Sequence, residues 1–284
     1  MVMKKTILFD SGSTKTDIRI IYNRQITELQ CVGINPFYQN RDEIYHVLRT
    51  CFGQDENSEE FEIYFYGAGC SFEEKKEIVR SALSRLFPKS CISIENDLLG
   101  AARALLQQKN GIACILGTGA NSCLYQKGKI IKNVPPLGYI LGDEGSGANL
   151  GKLLVADILK GIAPQKVILR FYEEEKCSAE EVMNHIYKES FPNRYLATFS
   201  KHIYRHKDEL YFQNLILEAF DNFFKRNIVQ YDSTVKEIGF VGSIAFHFTH
   251  QLEITAPKYG YSIQQILKSP IEGLITYHTT SPRE

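Results

Sequence analysis

Apolar positions along this chain come first in short strand-like runs, each closed by a small polar turn, and later at helical spacing. Residues 7–9 begin a β-type run that is interrupted by Asp10-Ser11-Gly12-Ser13-Thr14-Lys15-Thr16-Asp17 and resumes over residues 18–22, which predicts a hairpin. A third run over residues 26–32 predicts the next strand. Gly33-Ile34-Asn35-Pro36 closes it, because proline forces the residue before it out of helical geometry. Residues 41–52 read as a helix and residues 63–66 as a strand ending at Gly67-Ala68-Gly69-Cys70. Ser71 then offers a capping box with Glu74 for a helix to about residue 87. Residues 92–94 give another short strand, and Asn96-Asp97 opens an alanine- and leucine-rich helix running to Gln108.

The order then repeats. Residues 112–116, the turn Gly117-Thr118-Gly119-Ala120-Asn121, and apolar runs at 123–125 and 130–131 restate the strand, glycine turn, strand, strand order of residues 7–32. Setting Asp10 against Gly117 aligns the two copies, and two lobes on one plan are the economical reading. Residues 137–151 are the most glycine-dense segment. Helical sequence follows at about 150–160, 165–175, 178–189, 193–205 and 207–230, then a strand over 237–241 ending at Gly242-Ser243, and a tail, 262–278, that reads as helix. Alternating strands and helices indicate α/β lobes of mixed sheet. The expected division is 1–105 and 106–284, with the last helix packing back on the first lobe.

Composition narrows the class. A hydrophobic content of 44% with 17 Phe and 16 Tyr can bury a substantial core. Thirty-three basic residues balance thirty-three acidic ones, which removes the basic footprint of a nucleic-acid binder. No apolar run nears the roughly 20 residues of a membrane span, and an acid at position 10 comes too early for a signal peptide, so a soluble cytoplasmic protein is expected. Seven scattered cysteines without a Cys-x-x-Cys pair read as reduced thiols. The seven histidines show no His-Glu-x-x-His pattern and read as solvated or core rings.

Turns built from small residues let backbone N–H groups approach an anion, which suits phosphate. Asp10, beside the hydroxyls of Ser11, Ser13, Thr14 and Thr16, could hold hydrated magnesium. Asp97, after a strand and at a helix start, could take the proton of an alcohol, though N-capping would also account for it. Ser11-Gly12-Ser13 alone would equally suit an ordinary hairpin. Gly242-Ser243 could lie flat against a base or ribose. Neither the P-loop nor the dinucleotide fingerprint fits, since Thr14 precedes Lys15 and the 117–122 segment lacks a third glycine.

Taken in order, these pieces resemble the actin-like ATPase superfamily, and within it the N-acetylglucosamine kinase branch of the BadF/BadG/BcrA/BcrD group. Leu8-Phe9-Asp10-Ser11-Gly12-Ser13-Thr14-Lys15-Thr16-Asp17 resembles that branch's first phosphate loop, with Ser11 and Ser13 in place of glycines, and Leu141-Gly142-Asp143-Glu144-Gly145-Ser146-Gly147 resembles its Gly-Asp-Glu-Gly-Ser motif. The resemblance implies two ribonuclease-H-like lobes with ATP and Mg2+ in a cleft where the turns at 10–14 and 117–121 confront each other. Asp10 would organise magnesium. Gly12, Ser13, Thr14, Lys15, Gly117, Thr118 and Gly119 would hold phosphate, and Gly242 and Ser243 would border adenosine. Asn35, Gly69, Asp97, Thr118, Asp143 and Ser146 would meet an amino sugar, with Asp97 as general base; a homodimer also fits the family. An alternative within the group is an ATPase activator of a radical dehydratase, which holds an iron–sulfur cluster through cysteines, and Cys123 follows the second turn.

Overall fold

The computed structural model describes residues 5–12, 14–53, 58–231 and 234–280. It divides into two compact units, one of residues 1–108 with 270–284, the other of residues 109–269. The first unit contains β1 (Lys5–Ser11), β2 (Lys15–Tyr22), β3 (Gln25–Val32), α1 (Arg41–Phe52), β4 (Phe61–Gly67), α2 (Glu73–Leu86), β5 (Cys91–Asn96) and α3 (Asp97–Leu106). The second contains β6 (Gly111–Leu116), β7 (Ala120–Gln126), β8 (Lys129–Asn133), α4 (Gly138–Leu141), α5 (Gly147–Leu159), α6 (Gln165–Glu175), α7 (Ala179–Tyr187), α8 (Pro192–Thr198), α9 (Ser200–Arg205), α10 (Leu210–Phe223), β9 (Glu237–Val241), α11 (Ser243–His247), α12 (Thr249–Thr255) and β10 (Ser262–Leu267). Helix α13 (Ile271–Thr280) returns to the first unit.

Each unit holds one five-stranded sheet, ordered β3-β2-β1-β4-β5 and β8-β7-β6-β9-β10. In both, the first three strands form an antiparallel meander and the last two add in parallel to the first. Two identical plans bear out the mixed-sheet α/β fold read from the sequence. The pairing makes Ser11 the counterpart of Leu116, the last paired residue before each turn, so Gly117 corresponds in the plan to Gly12 rather than to Asp10.

Each sheet has its own core. Phe9, Phe65 and Phe87 anchor the first, and Phe220, Phe223, Phe224 and Phe240 the second, all fully buried. Residues 262–278 are not one helix. Ile263 and Ile266 pair in parallel with β9, and the helix begins only at Ile271, so strand pairing overrides the local pattern. Helix α2 also departs from expectation: its N-cap is Phe72, whose side chain makes no capping bond, and Ser71 lies outside it. Helix α13 closes on α3 because Gly273 carries no Cβ, which would stand 2.6 Å from the Ala104 carbonyl. Tyr66 fixes that contact: its hydroxyl lies 2.8 Å from His278 Nε2 and accepts from Arg103 at 2.9 Å.

Candidate active site

In the first unit the three parallel strands β1, β4 and β5 end in step, with Asp10 beside Tyr66 and Tyr66 beside Glu95, then Ser11 beside Gly67 and Gly67 beside Asn96. The segments beyond this row are residues 12–15, 68–70 and Asp97. Carboxyl ends of parallel strands are where α/β sheets bind ligands.

The first turn is built by side chains. Ser11 and Thr16 are fully buried, and their hydroxyls lie 2.7 Å apart. Ser11 Oγ accepts from the Ile34 N–H at 2.9 Å, and Thr16 Oγ1 donates to the Val32 carbonyl at 3.0 Å, so the turn is tied to the loop that carries Asn35. Ser11 pairs within β1 as extended strand, so its position does not call for glycine's backbone freedom. The Gly12 N–H is spent closing the turn on the Lys15 carbonyl at 3.0 Å. A Cβ there would meet nothing nearer than 3.8 Å, so the face above Gly12 is open. Thr14 is exposed, and its N–H has no hydrogen-bond partner among the described residues. Lys15 pairs with Asp17 at 2.6 Å. Ser13 lies outside the described residues.

Asn35 and Gly69 meet. Gly69 has φ +86, and a Cβ there would collide with Asn35 Oδ1. That oxygen accepts from the Phe37 N–H at 2.9 Å, which leaves the Asn35 amide NH2 without a partner among the described residues. Asp97 is the first residue of α3, and Asn96 is the cap, accepting from the Leu99 N–H at 2.8 Å. Asp97 Oδ1 accepts from the Leu98 N–H at 2.9 Å. Burial pushes its carboxyl above the ordinary carboxylate range, against the pull of that backbone bond. Cys70, fully buried, has its thiol pushed up to about 12 by burial first and by the Asp97 charge second.

In the second unit the corresponding turn is built by backbone. The Gly117 N–H bonds the Gly119 carbonyl at 2.9 Å, and the first N–H groups of α5 reach back to it, Gly147 to the Gly117 carbonyl at 2.8 Å and Ala148 to that of Thr118 at 3.0 Å. Gly242, with φ +124, lies so near the Leu116 carbonyl that a Cβ would collide with it. Asp143 adopts φ +56 and is buried. Its Oδ1 accepts from the Ala120 N–H at 3.1 Å, and a Cβ on Gly119 would stand 3.1 Å from its Oδ2. Burial pushes Asp143 up to about 6, the Ala120 N–H opposes this, and the Glu144 charge reinforces it. A Cβ on Gly117 would meet nothing within 4 Å, and the N–H groups of Thr118 and Gly119 carry no hydrogen bond among the described residues. Ser146, fully buried, caps α5 by accepting from Asn149 N–H at 3.1 Å. Ser243, first in α11, is exposed.

The second unit therefore gathers Gly117, Thr118, Gly119, Asp143, Ser146 and Gly242, while the first gathers Asp10, Gly12, Thr14, Asn35, Gly69 and Asp97. Reading the sequence missed the Ser11–Thr16–Ile34 ties, whose signal was a pair of hydroxyls flanking a turn, and Asn227, which donates to Glu144 at 3.2 Å. Cys123 is fully buried in β7, and burial pushes its thiol up to about 12.

No protein-family model matches the chain. The crystal structure of the "putative N-acetylglucosamine kinase" of Porphyromonas gingivalis matches with a TM-score of 0.89 and 40% identity over 96% of this chain and 98% of that one. The chain belongs to this N-acetylglucosamine kinase family. A second structure so described, from Chromobacterium violaceum, shares the fold at a TM-score of 0.75 and 15% identity, covering 98% of this chain and 99% of its own. A curated relative, the N-acetylmuramic acid/N-acetylglucosamine kinase of Clostridium acetobutylicum, is 26% identical over 216 residues, 70% of this chain and 69% of that protein. The kinase class and the sugar-kinase resemblance read from the glycine turns are borne out by these matches.

Proposed function

We propose that the chain is an ATP-dependent amino-sugar kinase that transfers the γ-phosphoryl group of ATP to O6 of N-acetylglucosamine. The observation that carries the reading is Asp97, a carboxylate with a raised proton affinity at the same strand ends as the open turn after Ser11. The Leu98 N–H holds Oδ1, and Oδ2 is the atom assigned to accept the proton of the sugar hydroxyl. A base whose affinity is raised toward neutrality is better matched to an alcohol than an ordinary carboxylate.

Phosphoryl transfer asks the protein mainly for position and charge. The open faces over Gly12 and Gly117 suit the close approach of phosphate oxygens, and the donors left for them are the N–H groups of Thr14, Thr118 and Gly119. The N–H groups of Gly12 and Gly117 are already used, so these glycines give access and their neighbours give hydrogen bonds. Asp10, at the end of β1, is the residue assigned to magnesium, which when bound with ATP neutralises phosphate charge. The NH2 of Asn35, unpartnered among the described residues, is assigned to a sugar hydroxyl, held there by the contact with Gly69. Asp143 Oδ2 is the second carboxylate assigned to the sugar. We propose the cytoplasm, where ATP is supplied, as its location.

The test is ADP release from purified protein with ATP, magnesium and a panel of N-acetylglucosamine, N-acetylmuramic acid, glucosamine and glucose. Turnover with N-acetylglucosamine well above hydrolysis is expected, and its absence would overturn the reading. Asp97→Asn is expected to keep ATP binding and lose at least about 100-fold in kcat, a general base's usual contribution.

A further inference from the structure

Far from these turns in the second unit's sequence, α6 and the end of α9 bring together Glu174, His202 and His206, whose ligand atoms all lie within 4.8 Å of one another. We propose that these three residues form a binding site for a divalent transition metal of the Zn2+ class, closed in this structure by the guanidinium of Arg205.

The distances carry the proposal. His206 Nε2 is 3.1 Å and His202 Nδ1 3.4 Å from the same oxygen, Glu174 Oε2. Four ligands around zinc at bonds of roughly 2.0–2.1 Å stand about 3.3 Å apart, so these separations need little change to become the edges of a coordination tetrahedron. The two histidines are four positions apart at the end of one helix, which puts both rings on one side of it. The donor set, two imidazoles and one carboxylate, leaves a fourth position for solvent and suits zinc, copper or nickel better than magnesium.

Both rings are set for the task. His206 turns Nε2 to Glu174, and its Nδ1 lies 3.6 Å from Glu209 Oε1, an oxygen that Arg170 holds at 2.6 Å. His202 is fully buried among Phe171 and Phe212 and turns Nδ1 to the carboxylates of Glu174 and Glu175; its Nε2 has no hydrogen-bond partner among the described residues. Glu175 Oε1, 3.0 Å from that Nδ1, is a further oxygen beside the site.

Arg205 is the competitor. One of its terminal nitrogens lies 3.0 Å from Glu174 Oε2, 2.6 Å from Glu175 Oε1 and 3.4 Å from His202 Nδ1. Its side chain is 48% exposed, so it can leave for water when a more highly charged ion arrives. Metal would then bridge α6 to α9 in place of the guanidinium. Reading the sequence discounted these histidines because the third ligand lies 28 positions before the first of them, a spacing that no short motif encodes.

The experiment titrates the full chain with Zn2+ against a chromophoric chelator, and with Co2+ followed by visible absorption. One equivalent is expected with Kd of about 10 µM or tighter, and a four-coordinate cobalt spectrum free of thiolate charge transfer. His206→Gln should weaken binding at least about 10-fold, and the difference between the two proteins excludes the cysteines as the ligands. Arg205→Gln removes no ligand and should tighten binding by about threefold, because its ion pairs with Glu174 and Glu175 no longer compete. Equal binding by the wild type and His206→Gln, a cobalt spectrum dominated by sulfur, or no gain in Arg205→Gln would overturn the proposal.

Discussion

The two glycine turns occupy the same place in the same sheet plan and, beyond the main-chain bonds that both contain, are fastened differently. In the first unit hydroxyls add to those bonds, Ser11 and Thr16 reaching the 32–34 backbone, and the face over Gly12 is open. In the second the ties are main-chain, with α5 bonded to the turn and Gly242 pressed on Leu116. One plan thus yields a turn that side-chain exchange can retune and a turn locked by the path of the chain. The retunable one shares its strand ends with Asp97 and the Asn35–Gly69 contact, where an acceptor would be chosen, and the locked one offers fixed N–H donors.

The sharpest way to break this contrast is Gly242→Ala. The added methyl meets the Leu116 carbonyl at a φ that L residues avoid, and a loss of at least about 3 kcal/mol is expected in urea unfolding. A loss under about 1 kcal/mol would show the turn is not locked. Next comes Asp143→Asn. A carboxyl held at about 6 in the fold, above the ordinary value of about 3.9 in the unfolded chain, makes the native state bind more protons across that interval. Stability therefore falls as pH rises from about 4 to about 6 and stays lowered above it. Asparagine can still accept from Ala120 and carries no charge, so the variant should match the wild type near pH 4 and exceed it by about 1–3 kcal/mol at pH 7.5. Unfolding curves at the two pH values decide it, and a variant less stable at both would refute the buried-charge penalty.

Ser11→Ala should cost less, about 1–2 kcal/mol, because the Ile34 N–H loses its shorter partner while Thr16 Oγ1 remains 3.2 Å away. If hydroxyls do hold the Asn35 loop, KM for the sugar should rise with it, and an unchanged KM would separate the two. Gly12→Ala is expected to leave stability within about 0.5 kcal/mol, since nothing stands in the methyl's way. Its effect should be confined to KM for ATP, because the methyl fills the face assigned to phosphate.

The repeated sheet plan was legible in the sequence because strand runs and glycine turns recur in the same order, and membership of the kinase family followed from the 8–17 and 141–147 motifs. Boundaries failed where distant partners decide. Residues 262–267 look helical alone and become a strand because β9 offers a paired edge. Ser71 has a cap's chemistry, yet Phe72 takes the cap position. Within the site, spacing cannot tell an N–H spent on its own turn, as at Gly12 and Gly117, from one left for an anion. Ser11 was seen as a replacement for glycine, and only its burial against Thr16 and Ile34 reveals a fastener.

The late return of α13 to the first unit bears on biosynthesis. Residues 109–269 form a continuous stretch, whereas the unit that emerges first from the ribosome lacks its last helix until residues 271–280 have been made. Until then the groove on α3 that receives Gly273 stays uncovered and the Tyr66 hydroxyl lacks its histidine. The half that is translated first is finished last, so chaperone demand should peak on the nascent amino-terminal half.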